Sequence, residues 1–108
     1  MSSPLRLYVL CRRDLTAGQR TVQACHAVAH FVLRHAGDDD VRAWAGDDRT
    51  IVVLGVDGER DLEAWRARLT ARGVACEAFA EPDLGGETTS LAVHPRADRR
   101  LFRSLRLL

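Results

Sequence analysis

The chain of 108 residues is predicted to fold as a three-layer α/β/α domain around a small mixed sheet. Two observations predict it. Apolar or β-branched runs at residues 5–11, 50–56, 74–80 and 88–93 read as four strands. Between them stand two long helical stretches, 16–36 and 59–72, each unbroken by proline. Strand–helix–strand–helix–strand order requires parallel neighbours joined by right-handed crossovers. Residues 81–87 are too few for a further crossover helix, so the third and fourth strands are antiparallel neighbours or lie one strand apart.

The elements follow in order. Residues 5–11 form the first strand. Thr16, with Gln19 three residues on, has the form of a capping box and opens the first helix. At 100° per residue, Val22, Cys25, Ala29, Val32, Leu33 and Ala36 share one broad apolar face, expected to be core. Ala24, Ala27 and Phe31 lie on another side, so burial of most of the helix is expected, whereas Gln19, Gln23, His26 and His30 superpose in a polar stripe expected to look into a cleft or an interface. Gly37 and three aspartates end this helix and favour a short one at 41–45. Residues 50–56, Thr-Ile-Val-Val-Leu-Gly-Val, read as a strand buried on both faces. Asp57-Gly58 turns the chain into a helix with Leu62, Trp65 and Leu69 inward, Arg68 outward and Gly73 as its stop. Residues 82–86 form a loop, and 99–105 a last short helix.

Composition narrows the function. An apolar share of 46% and a charged share of 29% suit an ordinary soluble domain, and residues 1–108 make one such domain. No run is long enough to span a bilayer and no signal peptide opens the chain, so a cytoplasmic protein without membrane contact is expected. Three scattered cysteines read as reduced core residues rather than as a disulfide or zinc framework. Net charge is +1, too small for a global field toward nucleic acid. All sixteen basic residues are arginine, however, and Arg12, Arg13 and Arg20 surround the start of the first helix.

Sites in open α/β sheets lie beyond the carboxyl ends of strands. This rule brings the segment after strand one, residues 12–23, to the loop after strand three, residues 81–86. His26 is the natural acid/base group there. A core histidine satisfied by a backbone carbonyl is the competing reading. His26 and His30 stand at i and i+4, but no glutamate follows the first as in zinc proteases, and no metal is expected.

Arg-x-Asp-Leu at 12–15, a glycine, Gln-x-x-His-Ala at 23–27 and Thr-x-Leu-Ala-Val-x-Pro at 89–95 together carry a resemblance. The chain resembles the peptidyl-tRNA hydrolases of the archaeal and eukaryotic class over residues 5–108. Glu81-Pro82-Asp83 and the tail Arg-Ser-Leu-Arg-Leu-Leu bring it nearest to the divergent peptidyl-tRNA hydrolase domain-containing branch. The resemblance implies a four-stranded mixed sheet with an antiparallel last strand and a homodimer. It also implies hydrolysis, without metal or cofactor, of the ester joining a peptide or N-blocked amino acid to the tRNA 3′ end. On that basis His26, Gln23, Glu81, Asp83 and Thr89 are the catalytic candidates. Glu81 or Asp83 would replace the family's aspartate and orient His26, while Thr89 and the Gly85-Gly86 amides would face the oxyanion. Arg12, Arg13, Asp14, Gln19 and Arg20 are the candidates for binding substrate, through phosphate contacts and the helix start. The family's lysine on the first helix is Gln19 here. A tRNA-binding or protein-interaction module that has lost catalysis is the alternative.

Overall fold

A computed structural model describes residues 4–108. In chain order it contains β1 (Arg6–Arg12), α1 (Ala17–Arg34), α2 (Asp39–Ala43), a π-helical turn (Trp44–Asp48), β2 (Thr50–Val56) and α3 (Glu59–Ala71). β3 (Cys76–Glu81), a 3-10 turn (Pro82–Leu84), β4 (Glu87–Val93), a second 3-10 turn (Arg99–Phe102) and β5 (Arg106–Leu107) complete it. The sheet order is β3-β4-β1-β2-β5. β1 and β2 are parallel, and β4 runs antiparallel to both β1 and β3. The sheet therefore has five strands rather than the expected four, because β5 pairs antiparallel with β2 at Leu54 and Gly55. Two residues are too few to show alternation in sequence. The expected helix over 99–105 shrinks to the single turn at Arg99–Phe102 so that the chain can reach this edge.

Alternate residues of β1 divide between two core clusters, as a pleated strand requires. Leu7 and Val9 pack with Ala27 and Phe31 of α1, Val41 of α2 and Trp44. Tyr8 and Leu10 pack with Leu62, Trp65 and Leu69 of α3 and with Phe102. Among the described residues no helix is long and apolar enough to cross a membrane.

Thr16 caps α1 as expected, with both halves of the capping box formed. The helix is turned differently from the expectation, however. Its buried line is Gln23, Ala27 and Phe31. The apolar face assigned to the core looks outward, with Leu33 80% and Val22 48% exposed and Cys25 exposed as well. Apolar side chains surround α1, so hydrophobicity alone does not orient it. The hydrogen bonds of Gln23 described below do. β2 also departs from expectation: Thr50 and Ile51 are exposed, Ile51 by 47%. α1 lies over β1, β3 and β4 instead, and β5 covers only the far end of β2.

Candidate active site

The carboxyl end of β1 is locked before α1 begins. The Arg12 guanidinium, 8% exposed, donates through Nε and Nη2 to the two carboxylate oxygens of Asp14 at 2.9 Å each. Its Nη1 donates to Glu87 Oε1 at 2.7 Å and to the Thr88 carbonyl at 3.2 Å. This fork holds the Asp14 carboxyl below the usual carboxylate range and raises Arg12, each chiefly through their shared hydrogen bonds. Arg13 donates to the Arg106 and Leu107 carbonyls of β5, both at 3.2 Å. Its side chain crosses Gly55 of β2 so closely that an added Cβ would stand 2.5 Å from the guanidinium and displace it. Arg20 donates to the Arg13 carbonyl, and its Nε is buried without a partner among the described residues. Gln19 is exposed and spends its side-chain oxygen on the Thr16 N–H at 2.9 Å. Arg12, Asp14 and Arg13 thus knit the scaffold together.

The predicted meeting of residues 12–23 with the loop after β3 occurs at Gln23. A bulge in β4 makes it possible: Phe79 opposes Ser90 and Ala80 opposes Thr88, leaving Thr89 as the extra residue. The adjacent hydroxyls of Thr89 and Ser90 both reach α1. Thr89 Oγ1 donates to Gln23 Oε1 at 2.6 Å, and Ser90 Oγ donates to the Gln23 carbonyl at 2.8 Å. Gln23 Nε2 donates to Glu81 Oε1 at 3.1 Å. A hydroxyl donor on one side and a carboxylate on the other leave the amide only one orientation. Gln23 is 3% exposed, Thr89 and Ser90 are fully buried, and Glu81 stands part-exposed at the end of β3.

Other expected partners are not brought together. His26 is exposed and bonds to neither Glu81 nor Asp83; its ring stacks on Phe79, centroids 4.8 Å apart and planes 23° apart. Asp83 is exposed in the turn after β3. The Gly85 and Gly86 amides do not face an oxyanion. With φ of +68° and +80° they fold back, donating to the Pro82 carbonyl at 3.2 Å and the Glu81 carbonyl at 2.9 Å. Thr89 does not face it either, since its buried hydroxyl is given to Gln23.

Sequence reasoning missed Glu87, Ser90, Phe79 and the pair Glu59 and Glu63. Those two carboxylates accept the Thr88 N–H at 2.7 Å and hydroxyl at 2.8 Å. Phe79 had a signal: it is the one aromatic between two alanines in β3. Arg68 was expected on the outer face of its helix and is exposed there. Its guanidinium lies over the Trp65 ring, 4.4 Å from the centroid, and lines a groove of about 560 Å³ that includes neither Gln23 nor Glu81.

Asp38, Asp40 and His94 bring three potential ligand atoms within 4.8 Å of one another. Their bonds are already made. His94 Nδ1 accepts the Arg96 N–H at 3.1 Å, so Nε2 carries the proton and donates to Asp38 at 3.0 Å. Arg96 occupies Asp40 at 2.9 Å, and the other Asp38 oxygen caps α2. This donor set does not fit a cation.

The whole chain superposes on a solved protein of unknown function, Atu0240 from Agrobacterium tumefaciens strain C58. The TM-score is 0.70 with 14% identity over 99% of each chain, a likeness of fold. Among curated protein sequences none matches significantly. The sequence model of the family described as peptidyl-tRNA hydrolase PTH2 matches residues 5–108, nearly the entire chain. The chain belongs to that family of hydrolases.

Proposed function

We propose that this member cleaves the ester between an acyl group and the tRNA 3′ end at the surface beside Gln23 and Glu81. One observation carries the reading: Gln23 is buried with every polar group of its side chain directed, and it presents the Glu81 carboxylate at the end of β3. In this role Glu81 takes a proton from the attacking water. The carbonyl carbon gains that oxygen, the bond to the ribose oxygen breaks, and the ribose oxygen leaves with the proton that Glu81 returns. Gln23 positions Glu81, and Thr89 positions Gln23. Asp83, in the next turn, supplies a second negative group at the rim. Arg13 and Arg20, bonded to backbone carbonyls and to no carboxylate among the described residues, are the cations of this group that meet phosphate, whereas Arg12 is committed to Asp14 and Glu87. No metal or cofactor is called on.

The same reading takes residues 1–108 as one domain of three layers, with the sheet between α1 and α3, in a cytoplasmic protein. It also takes the protein as a homodimer, supported by the exposed apolar side of α1, Val22, Cys25, Ala29 and Leu33. A non-catalytic tRNA-binding module is the second reading, favoured by Gln19 at the family's lysine position and by the inward glycine amides.

Release of free tRNA from an N-blocked aminoacyl-tRNA, with and without chelator, separates the two. Wild type turns over in chelator, and Glu81→Gln loses at least about 100-fold in kcat, as removal of a general base does. Binding of tRNA with no turnover at any enzyme concentration supports the module instead.

A further inference from the structure

The rim of the site carries a feature that ester cleavage at Glu81 does not use. His26 lies face-on against Phe79, and His30 meets the same phenyl ring edge-on with centroids 6.3 Å apart and planes at 74°. Among the described residues His26 makes no hydrogen bond, and the side chain bonded to Glu81 is Gln23. A proton-shuttling imidazole is held through a ring nitrogen. This one is held through its flat face. Since His26 is exposed and Phe79 covers one side, its exposure belongs to the opposite face and the ring edge.

We infer that the outer face of His26 is the stacking platform for the nucleobase of the terminal nucleotide of tRNA. The inference rests on the hydrolase reading above. The scissile ester sits on the ribose of that nucleotide, and its base hangs from the same sugar. A site that holds the ester therefore meets the base within the width of one ribose. His26 follows Gln23 by three residues on α1, about 4.5 Å along the helix axis. Single-stranded RNA ends are bound by stacking on aromatic and histidine faces, and stacking tolerates any base. Phe79 supports the platform from beneath, and the edge of His30 holds Phe79 in place. His26 is thereby a substrate-binding residue rather than an acid or base.

The test has two readouts. The first is fluorescence of a short RNA ending in 2-aminopurine, a base whose emission is quenched on stacking, titrated with wild type, His26→Phe and His26→Ala. His26→Phe keeps a ring and removes the proton acceptor. Wild type and His26→Phe quench the probe with affinities within about threefold of each other, and His26→Ala weakens binding about tenfold or more. The second is peptidyl-tRNA turnover. His26→Ala raises KM with kcat little changed, and His26→Phe retains both. Saturation without quenching by wild type overturns the platform. So does a His26→Phe variant that binds normally but loses kcat as fully as His26→Ala. Quenching by a wild type that never cleaves leaves the platform standing and removes the hydrolase reading instead.

Discussion

The two sides of α1 reverse the usual rule. The side toward the sheet buries a glutamine in line with Ala27 and Phe31, and the side toward solvent carries valine, cysteine, alanine and leucine. Gln23 is tolerated inside because Thr89 and Glu81 satisfy its side chain and Ser90 its carbonyl; unpaired, it would cost roughly 1–3 kcal/mol. The outer side has no such explanation within one chain. The inner side holds the proposed site, and the outer side the proposed contact between copies.

The contrast is broken most severely at Phe31. Phe31→Ala removes a fully buried ring and lowers unfolding free energy by about 3–5 kcal/mol in urea denaturation. Leu33→Ala, two residues on, changes it by no more than about 0.5 kcal/mol when measured on the monomer, because Leu33 is exposed within one chain. Equal losses at both would reverse our orientation of the helix.

Gln23→Ala comes next. It leaves the Thr89 hydroxyl with only the Phe79 carbonyl, 3.4 Å away, and frees Glu81. A loss of about 1–3 kcal/mol is expected together with a fall in kcat of at least about tenfold. A stability loss with unchanged kcat would make the cluster structural alone.

A smaller effect probes the turn that feeds α1. Asp14 has its folded pKa depressed, chiefly by the hydrogen bond from Arg12. Its stabilising contribution is complete above the unfolded value of about 3.9 and fades as pH falls through the lower folded one. Asp14 is half-exposed, so solvent screening keeps that contribution under about 1 kcal/mol. Asp14→Asn should flatten stability against pH below about pH 4, and an unaltered profile would discount the fork.

The smallest change in fold stability, within about 0.5 kcal/mol, is expected for Leu33→Glu. Its readout is mass by sedimentation: if the outer side of α1 joins two copies, wild type sediments as a dimer and Leu33→Glu as a monomer. Two identical masses would assign that surface elsewhere.

Local signals were legible in the sequence, and distant ones were not. β2 runs from Thr50 to Val56 as its β-branched run predicts, and the capping box at Thr16 formed as spelled. Gln23 and Glu81 were placed together by the strand-end rule, and they are bonded. The rotation of α1 was hidden because apolar residues ring the helix and the deciding bonds come from Thr89 and Ser90, more than sixty positions away. The fate of Arg12 depends on Glu87, equally remote. The glycine amides turn inward through local backbone geometry that Gly-Gly permits but does not announce.

The short β5 has a practical consequence. Leu107 and Arg106 pair with Leu54 and Gly55, and the Leu108 N–H reaches the Val53 carbonyl at 3.1 Å. Those three residues cover one end of Thr-Ile-Val-Val-Leu, a stretch with the β-propensity and missing charge of an aggregation seed. Arg13 clamps the cover shut through two carbonyls. A bare strand edge recruits other chains. Trimming the tail, or hauling on it with a fused purification tag, would uncover that seed in every molecule of a concentrated sample, and the loss would appear as turbidity.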